Sequence, residues 1–83
     1  MIDKKQKILV ELQQIFRNEL EDSELILDYE SSASNTDGWD SINNLMIISS
    51  IEEKFKMSFP IEVIFEAENV GDLIDYIEKK SGI

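Results

Sequence analysis

Val70, Leu73, Ile74 and Ile77 stand at i, i+3, i+4 and i+7, the spacing of one face of an α-helix. Ile8, Leu12, Ile15 and Phe16 repeat this period near the start of the chain. Ile42, Leu45, Ile48, Ile51 and Phe55 form a further stripe in the middle. No stretch alternates apolar and polar residues as a half-buried strand would. The fold class predicted is therefore all-α, with helices at about 4–18, 41–55, 60–66 and 70–80. Asp3, Asp40 or Ser41, and Asn69 suit the N-caps, and Asp72 lies three residues after Asn69, close to a capping box. Pro60 lacks the backbone N–H and disfavours helix before it. It suits the first turn of a short third helix, whose apolar residues are Ile61, Ile64 and Phe65. Lys79, Lys80 and Gly82 suit the end of the last helix.

Residues 19–40 carry no clear period. Glu19, Glu21, Asp22, Glu24, Asp28 and Glu30 bring six acids and no base, and 31–38 is rich in turn formers. Leu25, Leu27 and Tyr29 alternate, which would turn them inward to pin the segment. A loop this long in a small domain should be functional or internally packed. Together these features predict one domain over 1–83, a small four-helix bundle with a long first loop and a short third helix.

The inventory of side chains excludes more than it offers. The 83 residues contain no histidine and no cysteine. Disulfides, thiolate catalysis, zinc–thiolate sites and a Ser-His-Asp arrangement are all excluded. The three glycines, at 38, 71 and 82, are too scattered for a phosphate-cradling loop. Placing Gly38 at the sixth position of a calcium loop puts Ala33 first and Asn44 twelfth, where acids are required. A chain this small buries only about 60–65% of its unfolded surface, too thin a core for a layered active site. Eighteen acids against eight bases give a formal charge of −10. That balance excludes nucleic acid and favours basic partner surfaces. The longest apolar run, Leu45-Met46-Ile47-Ile48, is far short of a membrane span, and the polar start does not read as a secretory signal. The cytoplasm is the expected location. Apolar residues at 42%, thirteen of them isoleucine, are enough to fold.

One segment stands apart. Gly38-Trp39-Asp40-Ser41-Ile42 places a hydroxyl where the acidic loop meets a helix start. Ser41 or Asp40 serves there as an N-cap. Alternatively, or in addition, Ser41 carries a phosphodiester, which the free N–H groups and positive dipole end of a helix would stabilise.

The segment resembles the Gly-x-Asp-Ser-Leu type element that opens the second helix of acyl carrier proteins and the related peptidyl and D-alanyl carriers. The likeness extends downstream. Ile51-Glu52-Glu53-Lys54-Phe55 resembles the end of that family's second helix, and Phe59-Pro60 the step before its third. Val70-Gly71-Asp72-Leu73-Ile74-Asp75-Tyr76-Ile77 is similar to its last helix. The resemblance implies the acyl-carrier type of four-helix bundle. It implies 4′-phosphopantetheine from coenzyme A as the covalent cofactor on Ser41, with Asp40 assisting its attachment. The arm's thiol would hold acyl or aminoacyl groups as thioesters, in fatty acid, polyketide or related biosynthesis. The chain would then be a carrier and not an enzyme. Its partners would be a phosphopantetheinyl transferase and a ligase, synthase or transferase with a basic docking surface, with the carrier itself a monomer.

Trp39 resembles its counterpart in discrete carriers of specialised pathways, although it also suits packing of the loop onto the bundle. The family's early acids in the second helix are replaced by Asn43 and Met46, which puts a general fatty-acid role in doubt. The helical period puts Asn43, Met46, Ser50 and Glu53 on a stripe turned from the core. Partner contacts are accordingly assigned to Trp39, Ile42, Met46, Glu52 and Glu53. Ile48, Ile51, Phe55, Ile64 and Ile74 are expected to line a core that shelters an acyl chain. Two alternatives stay open: an unmodified acidic interaction module with Ser41 only a cap, and a binder of a basic protein or metal ion.

Overall fold

The computed structural model describes residues 3–81. Its helices are α1 (Lys4–Glu19), α2 (Ser41–Phe55), α3 (Ile61–Glu66) and α4 (Val70–Ser81). No strand occurs among the described residues. The all-α, four-helix class predicted above is the one found. Gly82 lies outside the described residues, so its role as a helix stop is not part of this description.

Each helix buries one stripe. In α1 this is Ile8, Leu12 and Phe16, with Ile15 only half-buried. In α4 it is Val70, Leu73, Ile74 and Ile77, all at most 3% exposed. α1 packs against both α2 and α4, so Phe16 and Leu12 form the middle of the core. Asp3 caps α1, its Oδ1 accepting from the Gln6 N–H at 2.8 Å. Asn69 Oδ1 accepts from the Asp72 N–H at 3.0 Å, while the Asp72 carboxylate reaches back to the Glu68 N–H.

Two helices present a different face from the one the period suggested. In α2, Ile42 and Leu45 lie outside, 76% and 61% exposed, while Ile47, absent from the predicted stripe, is fully buried. Ile48 and Ile51 are inside and Phe55 is half-buried. Residues 42–51 of α2 are apolar on several sides, so periodicity alone left more than one face available for burial. In α3, Ile61 and Phe65 are exposed, and Val63 and Ile64 turn partly inward. Pro60 stands one position outside this helix as its N-cap, not in its first turn. Its carbonyl accepts from the Val63 and Ile64 N–H groups.

The loop from 20 to 40 is internally packed. Leu27 turns in as expected and Leu25 does so partly, but Tyr29 is exposed. The Leu27 N–H donates to Gln13 Oε1 at 2.9 Å, and Arg17 Nε donates to the Leu25 carbonyl at 2.8 Å. At the other side, the Val70 and Gly71 N–H groups donate to the Ser31 and Tyr29 carbonyls, each at 2.8 Å. These two donors belong to the first turn of α4, where N–H groups have no partner within the helix.

The Gly71 bond needs a close approach. A Cβ on Gly71 would lie 3.0 Å from the Tyr29 carbonyl oxygen and 3.2 Å from Asn69 Oδ1. Both neighbours are held by hydrogen bonds, so Gly71→Ala should cost about 1–3 kcal/mol, the range of overpacking. Denaturant titration checks this: the midpoint should fall with the slope unchanged.

On the surface, Lys5 of α1 pairs with Asp75 and with Glu78 of α4, and Lys54 pairs with Glu11 at 3.1 Å. The hydrogen bonds that the Lys5 ammonium donates to Asp75 first, and then to Glu78, hold it above its ordinary pKa. Exposed pairs of this kind add little to stability.

Candidate functional site

The Gly38–Ile42 segment folds into a tight approach to α2. Gly38 takes φ +86, a left-handed conformation that glycine adopts without steric penalty. Asp40 follows in an extended conformation and caps α2. Its Oδ1 accepts from the Ile42 N–H at 3.0 Å and from the Asn43 N–H at 2.8 Å. Of the two residues considered for the cap, Asp40 is the one that fills it. Ser41 is the first residue of the helix proper.

This arrangement frees the serine. Ser41 is exposed, and its hydroxyl takes part in no hydrogen bond among the described residues. It also corrects the picture of a phosphate cradled by open N–H groups. The Ile42 and Asn43 donors are already occupied by Asp40, which leaves the Ser41 N–H and the positive end of the helix dipole to a phosphodiester there.

Trp39 goes the other way. Only 8% exposed, it meets Phe16 edge-to-face with ring centroids 4.8 Å apart and planes at 85°. Its Nε1–H donates to Asn44 Oδ1 at 3.0 Å. A buried indole needs an acceptor of this kind. Trp39 is thus a core residue that ties the loop to α1 and α2, and not a surface contact.

Glu52 is also engaged within the chain. Its Oε2 accepts from the Phe59 N–H at 2.8 Å, which fixes the connection into α3. Two members of the proposed outward stripe are likewise occupied. Asn43 Nδ2 donates to the Gly38 carbonyl, and Ser50 Oγ donates to Glu19 Oε2 at 2.9 Å. The exposed residues of α2 are Ser41, Ile42, Leu45, Met46, Ser49, Glu53 and Lys54, and the large apolar ones among them are Ile42, Leu45 and Met46. Ile42 and Leu45 are the members of this surface that the apolar period had placed in the core.

Beside Ser41 lies a cleft of about 250 Å³ between α2, α3 and α4. Ser41 and Asp40 border it, Trp39 and Asn44 form one side, and Ile48, Ile64 and Leu73 supply apolar wall. Of the residues expected to shelter an acyl chain, Ile48 and Ile64 line it. Ile51 and Ile74 are packed solid elsewhere in the core, and Phe55 is half-buried away from this cleft. Asn44 was missed at the sequence level. Its signal was the need of a buried Trp39 for an acceptor five residues on.

Known proteins resemble this chain in both sequence and shape. A family profile described as "Phosphopantetheine attachment site" matches residues 10–77. An acyl carrier protein from Exiguobacterium sibiricum is 32% identical over 76 residues, covering 89% of this chain and 94% of that protein. Acyl carrier proteins from Porphyromonas gingivalis are 44% identical over 50 residues, covering 60% of this chain. That match spans 64% of their own length, just under two thirds. Among solved structures, the solution NMR structure of a holo acyl carrier protein from Geobacter metallireducens superposes with a TM-score of 0.82 at 36% identity. It covers 89% of this chain and 85% of that one.

Proposed function

Because the chain belongs to the acyl carrier protein family, we propose that Ser41 carries a 4′-phosphopantetheine arm received from coenzyme A. On this reading the protein presents acyl or aminoacyl groups to partner enzymes. The observation that supports it best is the Ser41 hydroxyl: exposed, without an internal partner, and at the rim of a cleft. These residues fit the group. A free primary hydroxyl accepts the phosphodiester, open solvent accommodates its charge, and the cleft offers apolar wall to what the arm bears. When bound, the arm supplies a terminal thiol on which acyl groups are held as thioesters.

The rest of the site positions that hydroxyl. Asp40 uses Oδ1 for both cap bonds, which leaves Oδ2 available to the modifying enzyme. Trp39 and Phe16 hold the loop so that the serine always meets solvent. The chain has no nucleophile–base pair of its own, so a phosphopantetheinyl transferase must attach the arm. A ligase, synthase or transferase must then load and use it.

The docking face proposed for these enzymes is the outward side of α2: Ile42, Leu45 and Met46, with Glu53 at its far end. Residues 41–51 contain no charged side chain, in a chain of net charge −10. Apolar contact should therefore carry the affinity near Ser41, with acids steering only from the rim. Burying one such side chain is worth about 1.5–3 kcal/mol, so Met46→Ala should weaken docking to the transferase by about tenfold or more. Added salt should change that affinity far less. A steep salt dependence with a neutral Met46→Ala would instead assign docking to the acids.

The reading itself is tested by intact mass after incubation with coenzyme A, magnesium and a broad-specificity phosphopantetheinyl transferase. One phosphopantetheine should be gained, on the peptide that holds Ser41. A folded chain left unmodified by two different transferases would overturn it.

A further inference from the structure

Resting on that reading of Ser41, we propose that Asn44 and Trp39 select the cargo. The cleft takes a short acyl group bearing a second carbonyl oxygen, a 3-oxoacyl group, and Asn44 donates a hydrogen bond to that oxygen.

The orientation of the Asn44 amide follows from chemistry. An indole N–H is only a donor, so the Asn44 atom 3.0 Å from Trp39 Nε1 must be the carbonyl oxygen. The NH₂ end is then turned away from the indole. It makes no hydrogen bond among the described residues, although Asn44 is half-buried and lines the cleft. Asn44 lies three residues after Ser41 on α2, so the two share a side of the helix. A group tethered at Ser41 that folds into the cleft thus comes against a wall with two amides whose NH₂ ends are unpaired among the described residues, Asn44 and Asn69, of which Asn44 stands one turn from Ser41. A saturated alkyl group covers the Asn44 donor and leaves it unsatisfied, which is unfavourable. A 3-oxo group supplies the missing acceptor.

The size limit comes from Trp39. Its ring walls the cleft, is 8% exposed, and is braced edge-on by Phe16, which is itself fully buried. A chain that has filled the cleft of about 250 Å³ would extend on this side only by displacing a ring fixed at its N–H and at its edge.

The test uses the full chain, with its arm transferred from coenzyme A in four forms: bare, butanoyl, 3-oxobutanoyl and octanoyl. Intact mass reports each loading, so failure at Ser41 is distinguished from failure of the cleft. Two readouts follow: the Asn44 side-chain amide resonances by ¹⁵N NMR, and the emission of the single tryptophan. The 3-oxobutanoyl form should shift the Asn44 side-chain amide resonances clearly further than the butanoyl form, because only the 3-oxo group supplies an acceptor to the NH₂. The octanoyl form should shift them no further than butanoyl. Asn44→Asp keeps an oxygen for the indole but removes the donor, and in it Trp39 emission should no longer separate the 3-oxobutanoyl and butanoyl forms. Equal shifts from these two cargoes in the unaltered chain would overturn the proposal. So would a full shift already present with the bare arm, which would assign the bond to the arm's own amide carbonyls. The largest Trp39 response from octanoyl would overturn the size limit.

Discussion

Ser41→Ala should give a folded protein that takes up no phosphopantetheine under conditions where the unaltered chain is fully converted. The effect on loading is all-or-none because, among the described residues, no other serine stands at the first position of a helix beside the cleft. Ser32 and Ser34 share a hydrogen bond with each other, Ser31 is buried, and Ser50 donates to Glu19. The effect on stability should be small, within about 0.5 kcal/mol, as for other exposed positions without special contacts. Asp40, not Ser41, holds the cap, so Asp40→Ala is the variant that should cost about 0.5–2 kcal/mol. Intact mass and thermal melting on the two variants separate the roles. A Ser41→Ala chain that melts like Asp40→Ala, or still gains the arm, would contradict the assignment.

Phe16→Ala should be the most damaging single substitution for the fold. The side chain is fully buried, at the centre of α1's packing onto α2 and α4, and forms the edge contact that braces Trp39. Truncations of this kind cost about 3–5 kcal/mol. A chain of this length is expected to have only about 4–12 kcal/mol in total. The melting midpoint should fall by at least about 12 °C, and much of the protein could be unfolded at ordinary temperature. Circular dichroism measures the transition, and tryptophan emission reports whether Trp39 is released with it. A loss below about 1 kcal/mol would mean that Trp39 and the core are braced by other contacts.

How much of this was legible in the sequence depends on the type of interaction. Val70, Leu73, Ile74 and Ile77 have polar residues on their other sides, so their period pointed one way. Ile42, Leu45, Met46, Ile47 and Ile48 do not, and the buried face of α2 emerged only once α1 and α4 were in place. Trp39 presented two chemically reasonable fates, an exposed ring or a core ring. Phe16, remote in sequence, decides between them by contact. Glu52 was assigned to partner contacts because its internal partner is a main-chain N–H, at Phe59, and main-chain donors leave no mark on a sequence. The Asp40-Ser41 pair was recognisable by spacing, but which residue caps and which is free required the geometry of Oδ1. The Asn44 amide was hidden for the same reason, since its role depends on which end the indole holds.

The long loop is fastened to α4 through the carbonyl oxygens of Tyr29 and Ser31, atoms that every residue type carries. This fastening is therefore nearly indifferent to the side chain at Tyr29, whereas Ser31 is buried and its hydroxyl accepts from the Asp28 N–H within the loop. Substitutions can accumulate at Tyr29, whose exposed side chain is not what holds the loop, while the path of the chain stays the same. The constraint is transferred to the helix on the other side of the contact, to the one residue there whose missing side chain lets the loop come close. In a lineage of such proteins, the acidic loop would be free to diverge in composition and charge. Gly71 would be the residue at that junction least able to change.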